Sequence, residues 1–306
     1  MDDEPPELPW AGLVMVLAGS VLLAAKGIFA KALYARGLDF ETVVTVRAVI
    51  AIPGFLLVGW ITGGFNGLRN ATAKDFLLAA FAGFVCYTLG AYANFYALTL
   101  IDAGVERALL FGYPALVVIA VAVLQKALPG PWTTGAVIGT YLGIALVVGA
   151  FDADLLRQNF TGAMWVMFCS ATIAYYFLVS GRLTHTMGSA GFTLVAMVVA
   201  GIGLGTQYQF TTGWQSVSVD STSLWILIIM AVFVTVLPLY LVAEGVRRIG
   251  AARAAIASTV GPPATVVFAA FVLNERMSVA QFVGMALIVL SILLLELRRS
   301  RRSKNR

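Results

Sequence analysis

Charge is what this sequence has least of. Only 11% of its 306 residues are Asp, Glu, Lys or Arg, against about 25% in soluble domains, so a water-facing surface of this size cannot be clothed. With 60% hydrophobic residues and a mean hydropathy of +0.91, the chain reads as an integral membrane protein. Cysteine is nearly absent too: Cys86 and Cys169 lie inside apolar runs, which excludes a disulfide framework or a thiolate metal site and leaves them as small packing residues. One histidine, His185, cannot build a metal cluster, so no metal is expected. No GxxxxGK[ST] phosphate loop occurs, which argues against direct ATP drive. No nucleophile–base constellation is visible, so an enzyme is not expected, nor is any cofactor. Basic residues do not supply a nucleic-acid surface either. The net charge of +5 is outweighed by six cations in the segment 298–306, a tail that suits water or lipid headgroups, while the remainder is close to neutral. The opening MDDEPPELPW lacks a basic region before the first apolar run, so the first span is expected to be retained rather than cleaved as a signal.

What the chain has in plenty is long apolar runs. A helix needs about 20 apolar residues to cross a bilayer, and ten such runs can be read: 10–33, 43–62, 76–97, 105–124, 133–151, 161–181, 190–210, 224–244, 251–273 and 279–297. Short alternating segments of the β-barrel kind are not evident. The expected fold is all-α with ten transmembrane helices. The separators RGLDFET, GGFNGLRNATAKD, LPGPW and FDADLLRQN supply turn residues, and the polar stretch TTGWQSVSVDSTS (211–223) is the longest loop. If the N-terminus is cytoplasmic, the inner side holds thirteen basic residues and the outer side five (Lys31, Arg36, Arg107, Arg157, Arg276), with Lys26 and Arg47 inside spans. That bias satisfies the positive-inside rule and puts both termini in the cytoplasm.

The two halves resemble each other. AGLVMVLAGS (11–20) lies over TGAMWVMFCS (161–170), matching Gly12 to Gly162 and Ser20 to Ser170. LLFGYPALVVIAVAVL (109–124) parallels AIASTVGPPATVVFAAFVL (255–273), where an offset of 148 sets Pro114 on Pro262, Ala136 on Gly284 and Gly143 on Ser291. The units are 10–151, 161–297 and the basic tail 298–306. Five spans is an odd number, so the copies insert in opposite orientations. Inverted repeats are a hallmark of secondary transporters, with the substrate site at the repeat interface.

On KALYARGLDFETVVTVRAVIA and ERALLFGYPALVV in the first half, and VLPLYLVAEGVRRIGAARAAIASTVGPPATVVFAAFVLNERMS with QFVGMALIVLSILLLE in the second, the chain resembles the EamA-type members of the drug/metabolite transporter superfamily. The likeness spans nearly all of 10–297. The first-half copy departs at LQKALPGPW, where the acidic counterpart of NER is missing. The resemblance implies a ten-helix bundle of two EamA repeats around a central cavity, with substrate-specific export or exchange.

Several residues are candidates for that work. Lys26 lies about two-thirds along span one, where an ionisable group faces the bundle or a wet cavity. It suits either a carboxylate or phosphate of a substrate, or a structural pairing. Lys31 and Arg47 lie nearer the outer interface, where long stems reach water, as anchors or gate residues. Glu106, beside Asp102 and Arg107 at the start of span four, suits a helix N-terminus or an outer gate pairing with Lys31 or Arg47. Glu244 stands four residues before Arg248, a same-face spacing, as a local pair or an inner gate. Thr88, Tyr92, Phe95 and Tyr96 form a helical stripe on span three that can line a pocket or simply pack. Tyr175 and Tyr176 in span six, Thr235 and Tyr240 in span eight, and Ser258 and Thr259 in span nine are weaker versions of the same case. Pro114 and Pro262 occupy matching places and are hinge candidates. Gly135, Gly139 and Gly143 form a small-residue stripe on span five, with Ala280 and Gly284 on span ten, a packing face or a homodimer interface.

Taken together, these features predict a secondary transporter of the bacterial inner membrane. It would export or exchange small metabolites such as amino acids or organic anions by alternating access, its partners being that small-molecule substrate and the lipid bilayer. The alternatives from other classes are an intramembrane enzyme and a structural membrane protein without transport activity.

Overall fold

The computed structural model describes residues 9–69, 71–126, 130–216, 218–249, 257–258 and 260–304. Among them every regular element is helical. Eight helices are long and apolar enough to cross a membrane: spans one to eight run over Trp10–Ala35, Phe40–Ile61, Ala73–Ala97, Ala103–Leu124, Pro131–Val148, Ala153–Leu183, Ala190–Thr211 and Ser221–Val242. Two shorter apolar helices, Gly261–Leu273 and Val279–Leu294, stand where spans nine and ten are expected. The first seven residues of the expected ninth span belong mostly to 251–256, outside the described residues. The fold is the all-α ten-span bundle that the hydropathy pattern predicts. Its outer face carries large apolar side chains such as Ile61, Leu77, Val123 and Phe271. In water these would form an adhesive surface, whereas in lipid they are the natural contact.

The helix breaks carry the internal repeat. Span three passes through a π segment at Phe84–Gly90 and span eight through another at Val232–Val236. Their first helices start at Ala73 and Ser221, capped by Thr72 and Asp220. Span four breaks at Phe111 and Gly112 and restarts as Tyr113–Gln125; span nine starts as Gly261–Leu273. Each of these 13-residue helices has proline at its first or second position and closes on a left-handed residue, Lys126 (φ 49) or Asn274 (φ 54). Proline lacks the donor that would continue a preceding helix but is pre-shaped to begin one, so Pro114 and Pro262 mark restarts. The same offset of 148 links all these features and continues into Pro131 and Val279, which open the last helices of each half.

The halves are interleaved, and small residues make this possible. A Cβ on Gly143 would lie 2.6 Å from the Gly284 carbonyl oxygen, and one on Gly139 would lie 2.4 Å from Ser291 Oγ. Spans five and ten therefore meet backbone to backbone within one chain. Gly139 and Gly143 thus serve packing within the chain, the first of the two readings of the stripe, and of its three glycines only Gly135 is left with open space. Span one meets span eight in the same manner, with Gly12 against Arg248 and Ile249 and Gly19 against Pro238 and Val242. Spans six and seven are separate helices that meet at a kink at Gly188, whose φ of 70° and ψ of 159° only glycine adopts freely. The last helix extends from Val279 to Lys304 and so includes most of the basic tail.

Candidate functional site

Span one is interrupted at Ala25, and its second helix begins at Lys26. The Lys26 ammonium enters the bundle and donates to Asn94 Oδ1 of span three and, at 3.2 Å, to Glu106 Oε1 of span four. Asn94 Nδ2 donates to the same Glu106 oxygen at 2.6 Å. Glu106 is 1% exposed and lies in the first turn of its helix, where backbone amides favour a carboxylate. The acid thus pairs with Lys26, in place of the Lys31 or Arg47 partner expected from sequence. A charge at this depth needs such a partner.

Arg47 departs from expectation as well. Its side chain does not reach water: it is 9% exposed. Nη1 donates to Thr235 Oγ1 at 3.1 Å, and the Thr235 hydroxyl donates in turn to the Met230 carbonyl at 3.1 Å. Thr235 lies in the π segment, and its hydroxyl reaches back five residues to that carbonyl. Arg47 Nε has no partner. Its guanidinium stands 4.8 Å from the Phe95 ring centre, and Lys26 Nζ stands 5.8 Å from the same ring. Arg107, assigned to the outer surface on sequence, is also buried, over the Phe111 ring at 5.2 Å, with Nε unpartnered.

One end of the bundle is tied across the halves by polar groups. Lys31 Nζ lies 2.7 Å from Glu275 and 3.3 Å from Asp102. The other Glu275 oxygen accepts from the Ala103 amide at 2.9 Å, capping span four. Arg36 pairs with Asp220 at 2.9 Å and donates to Ser223 Oγ at 3.0 Å. Asp220 also caps span eight, and its carboxyl is held down to about 2, first by the Ser223 hydrogen bond and then by Arg36. Glu41 accepts from Tyr92, Thr211 and Thr212.

The opposite end holds a cavity of about 450 Å³ between the end of span two, the start of span seven and the second part of span eight. Its walls are apolar at Phe55, Val58, Leu194 and Val236; Tyr240 lines it and Glu244 lies at its rim. Glu244 accepts from Arg248 Nε at 2.8 Å, the helical pairing that the spacing predicts.

The remaining sequence candidates scatter. Thr88 donates to the Ala200 carbonyl of span seven, Tyr92 to Glu41, and Tyr96 packs on Phe40 and Trp165. Tyr92 and Tyr96 thus share Phe40, Thr88 faces span seven, and none of the three lines the cavity described above. Tyr176 is core, between Tyr87 and Phe192, and Ser258 is half-buried away from the described cavity walls. Thr235, a pocket candidate on sequence, serves instead as the Arg47 partner, and Thr259 lies outside the described residues. Sequence reasoning missed Asn94, whose only signal was a polar residue within an apolar run.

The EamA-like transporter family matches residues 10–149 and 160–297. The uncharacterized transporter YcbK of Bacillus subtilis (strain 168) is 31% identical over 283 residues, 90% of this chain and 89% of that protein. A crystal structure of a protein 16% identical superposes with a TM-score of 0.63 over 95% of this chain and 98% of the other, a likeness of fold alone.

Proposed function

The chain belongs to the EamA-like transporter family, and we propose that it is a secondary transporter of the bacterial inner membrane. On this reading it exports or exchanges small metabolites, amino acids or organic anions, by alternating access, with both termini in the cytoplasm. The observation that carries the reading is the unequal state of the two ends. Ion pairs and caps bind the halves together at the Lys31, Arg36 and Glu275 end, while a cavity opens at the Val58 and Tyr240 end. With the termini cytoplasmic, the clasped end is external and the cavity faces inward. The restarts at Pro114 and Pro262 and the π segments of spans three and eight are the places where an inter-half rotation is absorbed.

Two measurements test it. In a chain with Cys86 and Cys169 replaced by serine, Val58→Cys should react with an impermeant maleimide from the inside. Ala103→Cys, fully buried, should react from the outside only when transport substrates shift the population. In proteoliposomes, radiolabelled amino acids and organic acids should show saturable flux accelerated by substrate on the far side. Labelling of both positions from one side, or turnover to product in place of flux, refutes the carrier reading and favours the enzyme alternative.

A further inference from the structure

We propose that Arg47 anchors the carboxylate of the transported molecule, which makes the substrate a small organic acid with an apolar body. This rests on the carrier reading and gives it a substrate class. The first argument is charge balance. Among the described residues the bundle interior holds three cations, Lys26, Arg47 and Arg107, with Glu106 as the carboxylate among them. Lys26 takes that carboxylate, which leaves two guanidinium groups, and of these Arg47 stands nearer the cavity walls in the chain. Among the described residues no carboxylate pairs with Arg47. It has one hydroxyl partner, Thr235, and an Nε with none, at 9% exposure. A guanidinium stays charged at any physiological pH, so burial cannot be relieved by losing the proton. Holding it without a counter-charge is costly, and its planar fork of donors matches a carboxylate.

The second argument is position. Thr235, which holds Arg47, precedes Val236, a cavity wall, and Arg47 lies two turns before Phe55, another wall, on span two. Ala51, Phe55 and Val236 belong to one packed cluster, of which Phe55 and Val236 line the cavity. Gly54 lets Val236 come this close, since a Cβ there would lie 2.9 Å from a Val236 methyl. Thr235 and Val236 both belong to the π segment, a distortion suited to local rearrangement, so the Arg47 partner and a cavity wall can move together. The cavity itself, about 450 Å³, is within the range of small-molecule sites, roughly 300–1,000 Å³. Its apolar walls with the hydroxyls of Thr193 and Tyr240 suit an aliphatic or aromatic body.

The test uses the purified full-length chain and matched acids and amides: 3-phenylpropionate with its amide, 4-methylpentanoate with its amide, and benzoate with benzamide. Chloride is a separate arm. Thermal unfolding of the wild type should shift upward with at least one acid and not with its amide. R47Q should lose that preference, with affinity falling on the order of 10- to 100-fold, as loss of a charge-assisted hydrogen bond implies. R47K should keep the preference more weakly, which separates lost charge from lost fold. Equal shifts for acid and amide, no shift with any acid, a shift with chloride alone, or an R47Q chain that still prefers acids overturns the proposal. Counterflow in proteoliposomes separates the two layers. If an acid binds at Arg47 and no compound is carried, the carrier reading fails and the site stands. If R47Q carries acids as well as the wild type does, the site fails and the carrier reading stands.

Discussion

Glu106→Ala strips the Lys26 ammonium of its counter-charge inside the bundle. The lost contacts are the 3.2 Å ion pair and the 2.6 Å hydrogen bond from Asn94, around an acid that is 1% exposed. Removing one member of a buried pair costs about 3–5 kcal/mol, because the remaining charge is left uncompensated. Lys26, at 16% exposure, has little water to turn to, though it keeps the Asn94 oxygen, which places the expected loss near 3 kcal/mol on that scale. Lys26→Met combined with Glu106→Ala removes both charges together. The double variant should therefore be more stable than Glu106→Ala alone, with a coupling of about 2 kcal/mol, within the usual range for residues in one network. Unfolding in mixed micelles of dodecyl sulfate and dodecyl maltoside, followed through the six tryptophans, measures all three. A single variant costing less than about 1 kcal/mol, or a double variant showing the plain sum of its parts, would refute the pairing as the reason Lys26 is tolerated.

Three other outcomes follow from local geometry. Gly143→Ala should destabilise by about 1–3 kcal/mol, since the new methyl meets the Gly284 carbonyl and the Ile288 amide, which are backbone and cannot yield. Gly135→Ala, with open space around it, should be neutral or stabilising by up to about 1 kcal/mol; the same micelle assay ranks the pair, and equal losses would count against the span-five and span-ten interface. Asp220, held down to about 2 by Ser223 and Arg36, contributes stability that is complete above the ordinary carboxylate pKa of about 3.9 and is lost as pH falls toward its folded value. The melting-temperature gap between wild type and Asp220→Asn should be constant above about pH 4 and shrink below it; a gap that grows on acidification contradicts the clasp. Thr235→Val leaves the Arg47 Nη1 and the Met230 carbonyl without their hydroxyl partner and should cost about 1–3 kcal/mol, read by chemical unfolding.

The ten-helix architecture was legible because a bilayer imposes one simple rule, that each crossing be long, apolar and internally hydrogen-bonded. The repeat was legible because prolines and small residues keep their spacing, and the structure turns that spacing into matching helix restarts and left-handed caps. The site was less so. The stripe of Thr88, Tyr92 and Tyr96 assumed an unbroken α-helical period, but Thr88 lies in the π segment at Phe84–Gly90, which shifts its phase from that of Tyr92 and Tyr96 in the helix that follows. Arg107 looked external because it stands at the end of a span. It is buried because Gly261 has no side chain: a Cβ there would lie 3.0 Å from Arg107 Nη2. Pairings such as Lys26 with Glu106 or Lys31 with Glu275 join distant segments, and nothing in the local sequence points to them. Phe55, Leu194 and Val236, which wall the cavity, look in sequence like any lipid-facing residue.

The clearest departure from symmetry between the halves has a physical consequence. At the offset of 148, Lys126 and Asn274 share the left-handed closing conformation, yet the next residue is Ala127 in one copy and Glu275 in the other. Glu275 binds Lys31 and caps Ala103, whereas the counterpart of Lys31, at the offset of 150 that links Gly12 to Gly162, is Gly181. The inverted equivalent of this clasp thus has neither its acid nor its base. At the cavity end the Glu244 and Arg248 pair lies within one helix and cannot tie the halves together. On the alternating-access reading, the equilibrium should favour the state in which the Glu275 end is shut and the cavity end is open. The clasp charges are partly exposed, and such pairs contribute only about 0.2–1 kcal/mol each. The bias is therefore small enough for an acid that binds one state more tightly than the other to reverse it.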